Sequence, residues 1–293
     1  MRESDWNRLI DVLTRGECTP FLGAGACHPT LPTGRELSET WAELVDYPFE
    51  NRGVLPEVMD FASVTYGDPI YVKQRVVRML TERGHPDFAD EHEPHALLAR
   101  FPLPVYLTTN YDDFMVRALR RQRKRPRALS CPWYLNPSEV AQAPEDDNLT
   151  PRAKEPVVFH LHGNAADARS LVLTRTDYVE FLVNLTKDYA ADDRKLIPTE
   201  IRPWLTNYPL LFLGYSLQDW TFSVLFQGLL KTISELQHRR HISVQLPPPG
   251  RGIDDQKRAQ DYLTRYFDRW NISVYWGTVN GFCQELRRRV GWS

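Results

Sequence analysis

The sequence predicts an α/β fold: a doubly wound parallel sheet carrying a helical insertion. Three observations predict it. Short apolar, β-branched runs alternate with helix-period segments along the chain. Nearly every run stops at a glycine or a polar residue, and the one ending at Leu246 stops at Pro247. The length of 293 residues suits one α/β domain of about 200–250 residues with an insertion better than two full domains. Residues 1–293 are therefore read as a single domain, with a mainly helical insertion at about 50–100 and a second helical stretch at about 175–206.

The elements follow in order. Arg2 to Arg15 places Trp6, Leu9, Ile10 and Leu13 on one face of a helix. Thr19 to Leu22 is a short strand ended by Gly23-Ala24-Gly25, and a loop with Pro29 and Pro32 leads into a helix from Gly34 to Val45. A polar loop, His85 to Pro94, interrupts the helical region 50–100. Pro104 to Thr109 is a buried strand, and the helix after it groups Phe114, Met115, Ala118 and Leu119 on one side. Cys131 to Pro156 is rich in Pro, Asn, Asp and Glu and reads as a long loop. Val157 to His162 is a strand and Leu171 to Leu173 a third short apolar segment. Helices at 175–188 and 192–206 precede the strand Pro209 to Leu213 and a helix from Asp219 to Gln237. Two strands, His241 to Leu246 and Ile272 to Trp276, flank a helix at 254–269, and a last helix spans 281–289.

Composition narrows the function. The chain is 42% hydrophobic and 25% charged, an ordinary globular balance. A net charge of -2 gives no global field toward nucleic acid or an anionic membrane. No apolar run reaches the roughly 18 residues of a membrane span, and Met1 to Gly16 does not read as a signal peptide, so a cytoplasmic location is expected. Cys18, Cys27, Cys131 and Cys283 are scattered, whereas zinc ribbons need paired thiolates two to four residues apart. No metal is expected from these four cysteines. Arg117 to Arg127 holds seven basic residues, read as a solvated helix end or as a contact for nucleic acid or an acidic partner, and Glu145-Asp146-Asp147 could answer it in a neighbouring subunit.

In parallel sheets ligands bind beyond the carboxyl ends of the strands. Four polar turns fall there: Gly23-Ala24-Gly25, Thr108-Thr109-Asn110-Tyr111-Asp112, His160-Leu161-His162-Gly163 and Gly214-Tyr215-Ser216-Leu217-Gln218-Asp219. Singly, each has a bland reading. Gly-Ala-Gly can be a turn rather than a backbone cradle for pyrophosphate. Asn110 can be an N-cap, and Ser216 and Asp219 can cap the next helix. His160 and His162, two apart, would face the same side of a strand, and one can be a core histidine. Converging on one edge, the four turns read as an active site.

In order and spacing the set resembles the sirtuin (silent information regulator, SIR2) family, in the divergent bacterial branch associated with antiphage defence. Gly23-Ala24-Gly25 matches the family's Gly-Ala-Gly loop, Thr108 to Asp112 its Thr-x-Asn-x-Asp motif, His162-Gly163 its His-Gly pair, and Gly214 to Ser216 its Gly-x-Ser turn. The resemblance spans about residues 18–280. It implies a Rossmann-like sheet and NAD+ as substrate. It implies Asn110 and His162 as catalytic residues, with a histidine pKa near neutrality suiting the base. Gly23, Ala24, Gly25, Thr109, Asp112, Gly163, Gly214, Ser216 and Asp219 would hold the cofactor. His160 would support the site from outside it.

Departures from the deacylase pattern direct the expected activity. No cysteine lies between Cys131 and Cys283, where deacylases carry two zinc-binding pairs. Leu31-Pro32-Thr33-Gly34-Arg35-Glu36-Leu37 stands where they carry Gly-Ile-Pro-Asp-Phe-Arg, and Cys27 stands where the family often has Ser. The resemblance therefore implies an NAD+ hydrolase giving nicotinamide and linear or cyclised ADP-ribose. The alternatives are an NAD-dependent protein deacylase and a non-catalytic NAD or ADP-ribose sensor. It also implies restraint of the activity by homo-oligomerisation or by a separately encoded partner, such as a hexameric DNA-translocating ATPase, another phage sensor or an Argonaute-like protein.

Overall fold

The computed structural model describes residues 1–136, 139, 149–190, 196–216, 239–248 and 252–292. The helix expected at Asp219 to Gln237, with Asp219 itself, and the Glu145-Asp146-Asp147 patch lie outside the described residues.

Seven described strands form one parallel sheet: β1 (Thr19–Leu22), β2 (Val105–Thr108), β3 (Arg127–Ser130), β4 (Val157–His160), β5 (Leu210–Leu213), β6 (His241–Gln245) and β7 (Ile272–Trp276). Their order is β3-β4-β2-β1-β5-β6-β7, and every pair is parallel. The chain runs outward from β1 through β2 toward β4, then returns to lay β5 on the other side of β1. The winding reverses at β1, and a crevice opens at the carboxyl end of such a strand.

Strand residues divide between two cores with period two. Phe21, Val105, Leu107, Val157, Phe159, Leu210 and Phe212 face one core. Leu22, Tyr106, Val158, Leu211 and Leu213 face the other. All of them are buried, as expected when both faces of a parallel sheet are covered. Helices α1 (Glu3–Arg15), α5 (Pro94–Ala99) and α6 (Phe114–Arg121) cover the second face, together with α10 (Val279–Val290). Helices α7 (Arg175–Ala190), α8 (Arg202–Thr206) and α9 (Ile253–Asp268) cover the first.

A third, smaller core lies between α2 (Gly34–Leu44), α3 (Leu55–Tyr66) and α4 (Pro69–Glu82). Local chemistry sets these helices. Thr33 and Glu36 form a reciprocal capping box on α2, and Pro56 and Pro69 occupy the first turns of α3 and α4. Trp41, Met59, Val72 and Val76 fill the core with Leu171 and Leu173, while Val172 between them enters the sheet core. Lys73 Nζ meets Asp177 Oδ1 at 2.8 Å, both largely buried, and Asp177 Oδ2 accepts the N–H groups of Leu173 and Thr174. One carboxylate thus ties α4 to the start of α7.

Three details depart from the sequence reading. Edge strand β3 was not foreseen, because Arg127 to Ser130 is four residues long, half exposed and follows a basic run. Strand β4 ends at His160, so His160 and His162 do not share one strand face. Of the helix expected at 192–206, Arg202–Thr206 is helical, and Pro198 sits in the turn before it. In the basic run Arg117 pairs with Asp113, Arg125 with Glu155, and Lys124 donates to the Phe101 carbonyl.

Candidate active site

The site is built around the end of β1. After Leu22 the chain tightens into a 3-10 turn over Ala24–Ala26. Gly25 N–H donates to the Gly214 carbonyl at 2.9 Å, and Gly23 N–H to the Leu213 carbonyl. Gly214 has φ +78°, and a Cβ there would stand 2.2 Å from Ala26 N. The two glycine turns, from β1 and β5, are therefore in backbone contact. Tyr215 lies over Gly23, whose added Cβ would meet its ring at 3.0 Å. The Tyr215 hydroxyl bonds Thr109 Oγ1 at 2.7 Å and the Leu22 carbonyl at 2.9 Å.

Asn110 is 9% exposed and does not cap a helix. Its Nδ2 donates to the Gly23 carbonyl at 3.0 Å and to Cys27 Sγ at 3.1 Å, and its own N–H donates to Thr108 Oγ1. Asp112, one residue before the N-cap Asp113, holds the start of α6: Oδ1 accepts Phe114 N–H, and Oδ2 accepts the Cys27 thiol at 3.1 Å. Burial, with Asp112 next in weight, raises the Cys27 pKa well above that of a free thiol, so Cys27 stays protonated and packed. Beyond it sit His95, whose Nε2 is 3.9 Å from Cys27 Sγ, and Glu93, 2.6 Å from His95 Nδ1. Burial works against the charge on His95, yet the Glu93 hydrogen bond and charge outweigh it and raise its pKa.

Thr108 pairs with His160 across β2 and β4, so Asn110 and His162 follow matched positions on adjacent strands. Their side chains part. The Asn110 amide turns to the glycine loop. The His162 imidazole sits edge-on to Tyr178 and Phe181 of α7, with ring centroids 5.3 and 5.1 Å away. His160 is the histidine that reaches Asn110, through Nδ1 to the Asn110 carbonyl at 3.1 Å. Gly163 has φ +79°, and its added Cβ would lie 2.1 Å from the Ser170 carbonyl oxygen, which fixes the turn carrying His162.

His162 Nε2 is buried with no hydrogen-bond partner among the described residues. Burial pushes its pKa down to about 3, so the near-neutral value expected from sequence is corrected: aromatic desolvation keeps the ring neutral. A pH dependence of stability follows. With the folded pKa below the unfolded value near 6.5, the neutral ring's contribution is complete above pH 6.5 and is lost as pH falls toward 3. The slope is up to about 1.4 kcal/mol per pH unit. Urea melts at stepped pH should show this slope in the wild type and its loss in His162→Phe. Equal slopes in the two proteins would refute the desolvated histidine.

The structure thus gathers Gly23, Ala24, Gly25, Thr109, Asn110, Asp112 and Gly214 around one strand end. It sets His162 and Gly163 beside them on β4's exit and leaves Ser216 exposed at β5's exit. Sequence reading missed Glu93, His95 and the covering role of Tyr215. The only signal for the first pair was an acidic residue before Pro94, which is the N-cap of α5. A separate groove of about 420 Å³ between α4 and the loop Ala165 to Arg169 contains none of the expected site residues.

The model of the SIR2-like domain matches residues 104–275. Among curated proteins, the chain is 28% identical over 215 residues to the NAD(+) hydrolase ThsA of Enterococcus faecium, covering 72% of this chain and 40% of that protein. It is 26% identical over 297 residues to NAD(+) hydrolase ThsA of Acinetobacter baumannii, covering 97% and 55%. With the protein of the same name from Bacillus cereus it shares 24% identity over 179 residues, 61% and 31% of the two chains. The chain thus spans about half or less of the length of these relatives.

Proposed function

The chain belongs to the SIR2-like family, and from that premise we propose that it binds NAD+ at the end of β1 and hydrolyses the nicotinamide–ribose bond. One observation carries this reading: the glycine turns of β1 and β5 lock together beneath a buried Asn110 amide, at the point where the sheet reverses its winding. The relatives named NAD(+) hydrolase support it.

In the proposed reaction the C–N bond to nicotinamide breaks through an oxocarbenium-like state. Water supplies the hydroxyl that replaces nicotinamide on the ribose, and one proton is released. Asn110 holds the ribose and the attacking water. His162 is the proposed base: it is neutral with Nε2 unclaimed among the described residues, and entry of the dinucleotide has to relieve the burial that holds its pKa down to about 3 before the ring can take the proton. Gly23, Ala24 and Gly25 line the pyrophosphate, while Thr109, Gly163, Gly214, Ser216 and Asp219 hold the rest of the dinucleotide. Asp112 supports the site by accepting the first N–H of α6. Entry of the dinucleotide over the glycine loop requires Tyr215 to swing from its bonds to Thr109 and Leu22.

The same proposal takes residues 1–293 as a single NAD-binding domain of a cytoplasmic antiphage-defence effector, held in check by oligomerisation or a separately encoded partner. No described helix is long and apolar enough to cross a membrane. Val64, Ile70 and Tyr71, exposed on α3 and α4, support the helical region as a contact surface.

Incubation of the purified chain with NAD+ alone tests the reaction. Release of ADP-ribose and nicotinamide without any peptide is the expected result. Turnover that appears only with an acetyl-lysine peptide would make the chain a deacylase. Tight NAD+ binding with no product, in the presence or absence of peptide, would make it a sensor.

A further inference from the structure

We infer that Cys27, His95 and Asp112 form a binding site for a zinc-class divalent cation where the glycine turn, α5 and the start of α6 meet. One ligand atom from each of the three residues lies within 4.8 Å of the others. Cys27 Sγ stands 3.9 Å from His95 Nε2 and 3.1 Å from Asp112 Oδ2. Tetrahedral zinc has Zn–S near 2.3 Å and Zn–N or Zn–O of about 2.0–2.2 Å, which puts neighbouring ligand atoms about 3.3–3.7 Å apart. The Cys27–His95 and Cys27–Asp112 spacings lie within about 0.5 Å of that geometry, and the His95–Asp112 pair, within 4.8 Å, has to close by at most about 1.5 Å.

A second observation comes from outside the cluster. Glu93 Oε1 lies 2.6 Å from His95 Nδ1, and Glu93 Oε2 is fixed by the N–H of Ala96. A carboxylate on the far nitrogen of a histidine is the usual support of a metal ligand: it holds the proton on Nδ1 and aims the Nε2 lone pair. Here Nε2 is aimed at Cys27. Asp112 is divided in the same way, with Oδ1 held by Phe114 N–H and Oδ2 turned to Cys27. Thiolate, imidazole and a single carboxylate suit zinc and its neighbours, not magnesium or calcium. Cys27 is 4% and His95 1% exposed.

Binding exchanges the Cys27 thiol proton for the ion, and the proton passes to solvent. The hydrogen bond from Asn110 Nδ2 to Cys27 Sγ then runs to a thiolate, a stronger acceptor. The ion would join three segments distant in sequence and stiffen the position of Asn110. Sequence reading tested only cysteine pairs, so a site drawing one ligand from each of three segments escaped it.

The test uses the full chain, stripped with a chelator and titrated with Co²⁺ and then Zn²⁺. The expected result is one equivalent of Co²⁺ with a thiolate-to-cobalt charge-transfer band and tetrahedral visible bands, displaced by Zn²⁺, together with a rise in Tm. Cys27→Ser keeps a hydroxyl for Asn110 and Asp112 and should lose the charge-transfer band. His95→Gln keeps the thiol and should weaken binding at least about tenfold. A wild-type chain without the thiolate band overturns the proposal. So does a band of wild-type strength in Cys27→Ser, which would place the ion on another cysteine, or unchanged affinity in His95→Gln. Near-UV circular dichroism reports whether each variant is folded, and the wild-type titration decides independently of both.

Discussion

Replacing Asn110 by Ala is expected to lower NAD+ turnover by roughly 100- to 10,000-fold while the chain stays folded. The fold should survive because the amide is not structural in the usual sense. The first N–H of α6 is held by Asp112, and the strand ladder runs through Thr109 N–H and Leu161 N–H. What the substitution removes is a donor to the Gly23 carbonyl and to Cys27 Sγ. Leaving a buried carbonyl with one partner fewer costs about 1–3 kcal/mol, within the 5–15 kcal/mol typical of a folded domain. In the proposed reaction catalysis has no such margin, since there the amide acts by its fixed position on the ribose and the attacking water, and a water molecule cannot replace it. Asn110→Asp keeps the shape but sets a carboxylate against the Gly23 carbonyl, so it should be as inactive as Asn110→Ala and less stable. Product release would be followed by chromatography and folding by thermal melts. Wild-type NAD+ consumption by Asn110→Ala would remove Asn110 from the mechanism.

Much of the architecture is legible in the sequence because a sheet covered on both faces needs continuous apolar runs. Val105 to Thr108 and Leu210 to Leu213 could be placed from their composition, and Ile272 to Trp276 was placed with its observed limits. Edge strand β3 escaped because one side of an edge strand needs no such run, and Arg127 is exposed. The glycine and asparagine motifs were legible for a similar reason: a chain leaving a buried strand must turn at once, and few residues permit the turn.

Side-chain direction was not legible. Spacing alone put His160 and His162 on one face, but the strand stops between them, and the left-handed Gly163 turn sends His162 into the aromatic side chains of α7. Nor could spacing reveal that Asn110 reaches back to Gly23 while Asp112 takes the first N–H of α6. Both side chains can accept a helix N–H, and the choice depends on Cys27, which lies 83 residues from Asn110 in the chain.

Gly214→Ala carries the largest expected effect on stability. The residue sits at φ +78°, where an L side chain costs about 1–2 kcal/mol before any contact is counted. The added Cβ would then stand 2.2 Å from Ala26 N, 2.6 Å from the Gly23 carbonyl oxygen and 2.7 Å from Gly25 C. All three are backbone atoms, so no rotamer relieves the contact. The turns of β1 and β5 must separate, and the Gly25 N–H to Gly214 carbonyl bond goes with them. Destabilisation above about 4 kcal/mol is expected, along with loss of NAD+ binding in whatever fraction folds. Gly34→Ala is the matched control. It lies in the first turn of α2 with nothing within 4 Å of an added Cβ, so it should be neutral or stabilising by up to about 1 kcal/mol. Urea unfolding of both variants and NAD+ titration of the folded fraction separate the outcomes. A Gly214→Ala protein that melts with Gly34→Ala and binds NAD+ normally would mean that the two turns do not press together in solution. The cradle proposed for the pyrophosphate would then have no rigid floor.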